Sequence, residues 1–329
     1  MRFARQSHKL PVALFAILAL LSAVLAACSD SSQLPPTRIY ATIISHNEQS
    51  SNLPCAKVVT DQNEYLANRA ATLAFAKAVS DAGGTYDLQS EMDYLNQIAQ
   101  YDTAAVKASS NGKNLVEYLN TFAPGRVQVD AHSHEKLDFG GFNYADVAKQ
   151  LVDLGVPTSG IVGGCTSNPS TDENWTRFRQ PLTALNSDYV WSPTVLWGAA
   201  SKGHSDDLTA SGVWRPKSPD EFFTDDPNGV LTNIGGYVKA VGDDQVQLLA
   251  DLLSKREAGE LQPGHMYTIR LMFKQCEFHT DPSLQASAVA VIEANRQNVT
   301  DGKLVWVTLE TLIDTWKSDY QGQPTILTR

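Results

Sequence analysis

Ile39-Tyr40-Ala41-Thr42-Ile43-Ile44 is an unbroken run of strand formers, apolar on both faces. A strand of that kind needs cover on both sides, which is the setting of a parallel sheet between helices. The rest of the chain keeps to this rule. Apolar spacing predicts helices over 64–80, 91–99, 114–122, 144–154, 245–257, 282–295 and 309–316. The first should turn Leu66, Ala70, Leu73 and Ala74 inward, and the second Met92, Leu95 and Ala99. Strand formers recur over 85–89, from Val127, and over 159–164, 193–198, 213–215, 267–273 and 304–308. Punctuation agrees with these spans: Gly83-Gly84 closes the first helix, and Asn143 with Asp146 three residues on sets a capping arrangement for the helix from Tyr144. Strands that alternate with amphipathic helices pair in parallel through crossovers. A β/α barrel and an open doubly wound α/β sheet both satisfy the pattern.

The first residues have a different character. Arg2, Arg5 and Lys9 precede the apolar stretch from Leu10 to Ala26, and Leu25-Ala26-Ala27-Cys28 has the form of a lipoprotein cleavage box. The expected organisation is a signal peptide over 1–27, a lipidated tether over 28–37 beginning at Cys28, and one α/β domain over 38–329. The expected place is the bacterial envelope, with the lipid on Cys28 as the membrane partner. Resemblance to enteric lipoproteins, with Ser29 after the cysteine, implies the outer membrane facing the periplasm. The alternative for the apolar stretch is a plain membrane anchor. The formal net charge is −10, and the leader holds three of the basic residues, so the mature chain is more acidic still. Such a chain is poorly suited to nucleic acid or to anionic lipid surfaces. Beyond Cys28 only Cys55, Cys165 and Cys276 remain, enough for one disulfide and one spare thiol. Spacing does not say which two pair.

In parallel α/β folds, ligands gather at the carboxyl ends of the strands. His46 and Glu48 follow the first strand. Val127-Gln128-Val129-Asp130-Ala131-His132-Ser133-His134-Glu135 runs a strand straight into several potential ligands. Alternation puts Asp130, His132 and His134 on one face while the strand persists. Two imidazoles beside carboxylates form the usual ligand set of zinc and similar divalent metals, and a catalytic site needs about three such ligands and an open position. Arg215 and His279 also stand after strands, whereas His204 and His265 do not. From Thr166 to Gly242 periodicity fades and Trp175, Trp191, Trp197 and Trp214 accumulate, as in a long functional loop region.

This layout resembles the polysaccharide deacetylase superfamily. His132-Ser133 matches the start of its histidine motif, Lys136 stands where the second histidine falls, and His134 is the nearest replacement. Ser45-His46-Asn47-Glu48 occupies the place of the carboxylate motif, Trp214-Arg215-Pro216 is similar to the Arg-Pro motif, and His279 to the late histidine. The resemblance implies a distorted seven-stranded (β/α) barrel and a metal-dependent hydrolase that deacetylates an N- or O-acetylated polysaccharide. Its divalent metal, expected to be zinc, would be held by His46, His132 and His134. Glu48 or Asp130 would take a proton from water, Arg215 would orient that carboxylate, and His279 would protonate the leaving group. Two other classes compete: a solute-binding lipoprotein of two lobes without a metal cluster, and a deacetylase-like barrel that only binds carbohydrate.

Overall fold

The first strand is paired along both edges, and the sheet is built outward from it. The structure is a computed structural model and describes residues 34–47, 55–135, 141–164, 173–198, 206, 209–238 and 244–329. The expected signal segment over 1–27, Cys28, Glu48, Lys136, Cys165 and His204 lie outside the described residues. Pro36–Arg329 forms one compact unit rather than two lobes. Among the described residues no helix is long and apolar enough to cross a membrane.

The strands are β1 Arg38–His46, β2 Tyr86–Ser90, β3 Val127–Ser133, β4 Ile161–Gly164, β5 Leu182–Thr183, β6 Val190–Trp191, β7 Val195–Trp197, β8 Ala210–Ser211, β9 Val213–Trp214, β10 Thr232–Ile234, β11 Met266–Met272, β12 Leu304–Trp306 and β13 Leu327–Thr328. The helices are α1 Cys55–Thr60, α2 Gln62–Ala82, α3 Met92–Tyr101, α4 Ala104–Lys107, α5 Leu115–Phe122, α6 Tyr144–Asp153, α7 Glu173–Phe178, α8 Gln245–Glu257, α9 Ser283–Ala294, α10 Arg296–Thr300 and α11 Leu309–Ser318. The fold is α/β with a mostly parallel central sheet of 9 strands, whose main path runs β11-β1-β2-β3-β4-β7-β10-β9. Only β9 on this path is antiparallel to its neighbour. β12 shares an edge of β1 with β2: it pairs with Ile39 to Ala41, and β2 takes over from Ile43 to His46. Between the first strand of the path and the last of its parallel strands, the Arg270 amide of β11 donates to the Gly236 carbonyl just past β10, at 3.1 Å.

The two faces of the sheet differ. Ile39, Ala41, Ile43, Leu88, Val127, Val129, Ala131 and Leu196 pack against helices in the larger core cluster. Tyr40, Ile44, Ile161, Val195, Trp197 and Met266 point the other way, against Leu309, Leu312, Ile313 and Trp316 of α11. On this inner side β2 and β3 carry Asp87, Gln89, Gln128, Asp130 and His132, all buried. The first amides of α11 are satisfied there, Leu309 N donating to Asp87 Oδ2 at 3.0 Å and Glu310 N to Gln128 Oε1 at 3.2 Å.

The inward faces of the first helices match the expectation in part: Leu66, Leu73, Met92 and Leu95 pack on the core, but the buried faces are centred elsewhere. α2 buries Tyr65, Asn68, Arg69, Thr72, Phe75, Ala76 and Val79, while Ala70 and Ala74 are exposed. α3 buries Tyr94, Leu95, Gln97 and Ile98, and Ala99 is exposed. The reason is a set of satisfied polar groups that an apolar pattern does not register. Gln275 Nε2 reaches Thr72 Oγ1 at 2.7 Å and Tyr94 OH at 2.9 Å, and the Gln275 carbonyl accepts from Asn68. Asp102 Oδ1 accepts from Arg69 Nε and Tyr65 OH, both at 2.8 Å, and Oδ2 from Leu115 N at 2.6 Å. Cys276 is disulfide-bonded.

Asp102 thus joins α2, α3 and α5 through a buried ion pair, with side-chain exposures of 3% and 1%. Asp102→Ala would strand the Arg69 charge, and the expected loss is about 3–5 kcal/mol of unfolding free energy, read from urea denaturation.

Candidate metal centre

At the carboxyl end of the inner face the strand register sets a layer of side chains. His46 pairs in register with Gln89, and Gln89 with Asp130. One step higher, His132 pairs with Gly163 and Gly163 with Trp197. Glu91 follows β2 immediately and is the N-cap residue of α3, with no side-chain cap hydrogen bond. These positions bring Glu91, His132 and His134 together, with one ligand atom from each lying within 4.8 Å of the others. The His132 and His134 Nε2 atoms are 3.3 Å apart. Glu91 Oε1 is 3.8 Å from His132 Nε2 and 3.7 Å from His134 Nε2.

This donor set fits a metal ion. Bonds of about 2.0–2.1 Å at tetrahedral angles put ligand atoms about 3.3 Å apart, close to the spacing seen. Two imidazole nitrogens facing each other at that distance need a proton or a cation between them. Nδ1 of His132 lies 3.4 Å from Gln89 Oε1, and a proton on Nδ1 donated to that oxygen would leave the Nε2 lone pair for a metal. Gly163 makes room for this contact. A Cβ there would lie 2.1 Å from Gln89 Oε1 and 2.8 Å from His132 Nδ1.

The other expected site residues are placed differently. His46 ends β1 rather than following it, and its ring packs on that of His132, centroids 4.1 Å apart and 34° from parallel. The Trp197 ring lies 5.2 Å from it at 88°. His46 thus packs beside His132, while the group whose ligand atoms come together among the described residues has Glu91 as its third member. Asp130 is buried one pair below His132, with Gln128 Nε2 donating to both oxygens at 2.8 Å and Ser159 Oγ to Oδ1 at 2.5 Å. Both its oxygens thus accept hydrogen bonds from the protein.

Arg215 is held by Asp225, with Nε to Oδ1 at 3.1 Å and Nη2 to Oδ2 at 2.9 Å, and lies over the Trp316 ring. It follows the one antiparallel strand of the path, so it emerges at the amino edge of the sheet, away from His132. His279 Nε2 is bonded to Glu64 Oε2 at 2.6 Å, in the helix layer on α2. Glu91 carries two signals in the sequence: it is the first residue of the expected helix over 91–99, and it follows the short second strand, where ligands gather.

Compared with known protein families, curated proteins and solved structures, the chain finds no match.

Two outcomes are expected from this geometry. Gly163→Ala must displace Gln89 or His132, and should weaken divalent-metal affinity by about 10–100-fold, the usual cost of losing a group that orients a ligand. The second concerns Asp87 and Asp130. Burial raises both carboxyls, and each also feels charge on a nearby carboxylate, with Asp130 pushed up to about 7. Groups raised in the folded state favour folding at low pH, and that contribution is lost as pH rises through the folded value. The urea midpoint should fall between about pH 4 and about pH 7, and Asp130→Asn should flatten that slope.

Proposed function

We propose that this chain is a metal-dependent hydrolase, acting on an acetylated carbohydrate and held at the bacterial envelope by lipid on Cys28. The observation that carries the reading is the convergence of Glu91 Oε1, His132 Nε2 and His134 Nε2 at 3.3–3.8 Å at the carboxyl edge of a parallel sheet. Two histidines and a glutamate are a ligand set of catalytic zinc, which leaves a fourth position for water or substrate. We assign zinc on that ground. The substrate class rests on the resemblance carried by His132-Ser133 and by the architecture. Seven parallel strands in the order β11-β1-β2-β3-β4-β7-β10, with the Arg270 to Gly236 bond between the two ends, support a distorted barrel over an open sheet.

Zinc bound there would polarise an acyl oxygen and lower the pKa of water. The chain's own groups do the rest. Gln89 accepts the proton of His132 Nδ1, and His46 packs beside that ring. Glu91 is the carboxylate of the site, supplied from the second strand rather than the first. Glu48, two residues after the end of β1 in sequence, is the group that we assign to take the proton from water and to pass it to the departing amine or alkoxide as the acetyl C–N or C–O bond breaks. Asp130, Arg215 and His279 are engaged elsewhere and have no part in the step.

Metal analysis of the purified mature protein should find one equivalent of zinc, and His132→Ala and Glu91→Ala should each abolish its retention on dialysis. Acetate release from an acetylated oligosaccharide should be lost in both variants. A wild-type chain that binds no divalent metal would contradict the hydrolase reading. Full metal occupancy with no acetate release from N- or O-acetylated glycans would contradict the substrate class.

A further inference from the structure

Two of the three candidate ligands are fixed by regular structure, His132 within β3 and Glu91 between the end of β2 and the start of α3, which it caps. His134 also stands one residue past its strand, but it belongs to no strand or helix and its side chain is 35% exposed. The next residue, Glu135, has a side chain that is 0% exposed. Its carboxylate is held at both oxygens. Oε1 accepts from the backbone N of Tyr144, the first residue of α6, at 3.1 Å. Oε2 pairs with Arg177 Nη1 of α7. The Glu135 amide donates to Ser133 Oγ at 3.1 Å, which ties the backbone across His134 itself.

These contacts are well suited to holding a chain in place. A carboxylate at a helix N-terminus is favoured by the dipole and meets an amide that has no partner within the helix. That end of α6 is itself fixed by a capping box between Asn143 and Asp146. An ion pair with one member fully buried is costly to break from one side, because the other charge is left stranded. The anchor therefore lies one residue from a ligand that has no strand ladder of its own.

We propose that Glu135 is a positioning residue of the metal centre. By clamping the chain after β3 to α6 and to Arg177, it fixes the His134 imidazole opposite Glu91. The inference rests on the metal-site reading above and adds to it a residue that touches neither metal nor substrate. Without the clamp, His134 must be ordered at the moment of metal binding, and affinity falls by the cost of that ordering.

The test is a Co²⁺ titration of the mature protein against a competing chelator, with the visible absorption of the bound ion as the reporter of ligand geometry. Glu135→Ala should lower Co²⁺ affinity by about 10–100-fold and alter the absorption band. Glu135→Gln keeps an oxygen for the Tyr144 amide and should recover part of the affinity. Asp102→Asn, far from the site, should lower the melting temperature and leave the Co²⁺ titration unchanged. Wild-type affinity and spectrum in Glu135→Ala, with only its melting temperature reduced, would overturn the clamp while leaving the metal site standing. No Co²⁺ uptake by the wild type would overturn both. Should Glu135→Ala not fold, Arg177→Met and Glu135→Gln decide the matter, and wild-type titrations in both would overturn the proposal.

Discussion

The site depends on the hydrogen bonding of a polar column on the inner face of β3. Gln128, Asp130 and His132 are buried where apolar residues would be expected, and a buried polar group without a partner costs on the order of 1–3 kcal/mol. Each has one. Gln128 bridges Asp130 and the Glu310 amide of α11, Asp130 takes the Ser159 hydroxyl, and His132 meets Gln89. The His132 ring meets Gln89 across the sheet, a contact that the missing side chain of Gly163 allows, and packs at its side on His46.

The three ligands differ in how firmly they are held. Glu91 and His132 have side chains only 2% exposed, whereas that of His134 is 35% exposed. A group that could hold a metal ion thus has two buried donors and one partly exposed to solvent. The edge of the sheet supplies this arrangement through chain direction alone, since both β2 and β3 end there.

Much of this was legible in the sequence, for physical reasons that differ from one element to another. Local chemistry marks its own boundaries: Asn143 and Asp146 form the expected capping box, Asp244 caps α8 over the expected 245–257, and Gly83 ends α2 in the left-handed conformation. Alternation along Val127 to His134 put His132 and His134 on one face, and the structure keeps them together. Long-range pairing is what the sequence does not carry. Nothing local says that Asn68, Arg69 and Thr72 will be buried, because their partners Gln275 and Asp102 come from other elements. Arg215 followed a strand as expected, but the strand is antiparallel, and its end lies on the wrong edge. Glu91 is both the end of a strand connection and the cap of a helix, and helix periodicity masks the strand signal at such a position.

The most direct test of the account is anomalous diffraction from crystals of the mature protein grown with zinc. The account predicts a peak about 2.0–2.2 Å from Glu91 Oε1, His132 Nε2 and His134 Nε2. A zinc peak ligated by His46 in place of Glu91, or no peak at this edge of the sheet, would contradict it.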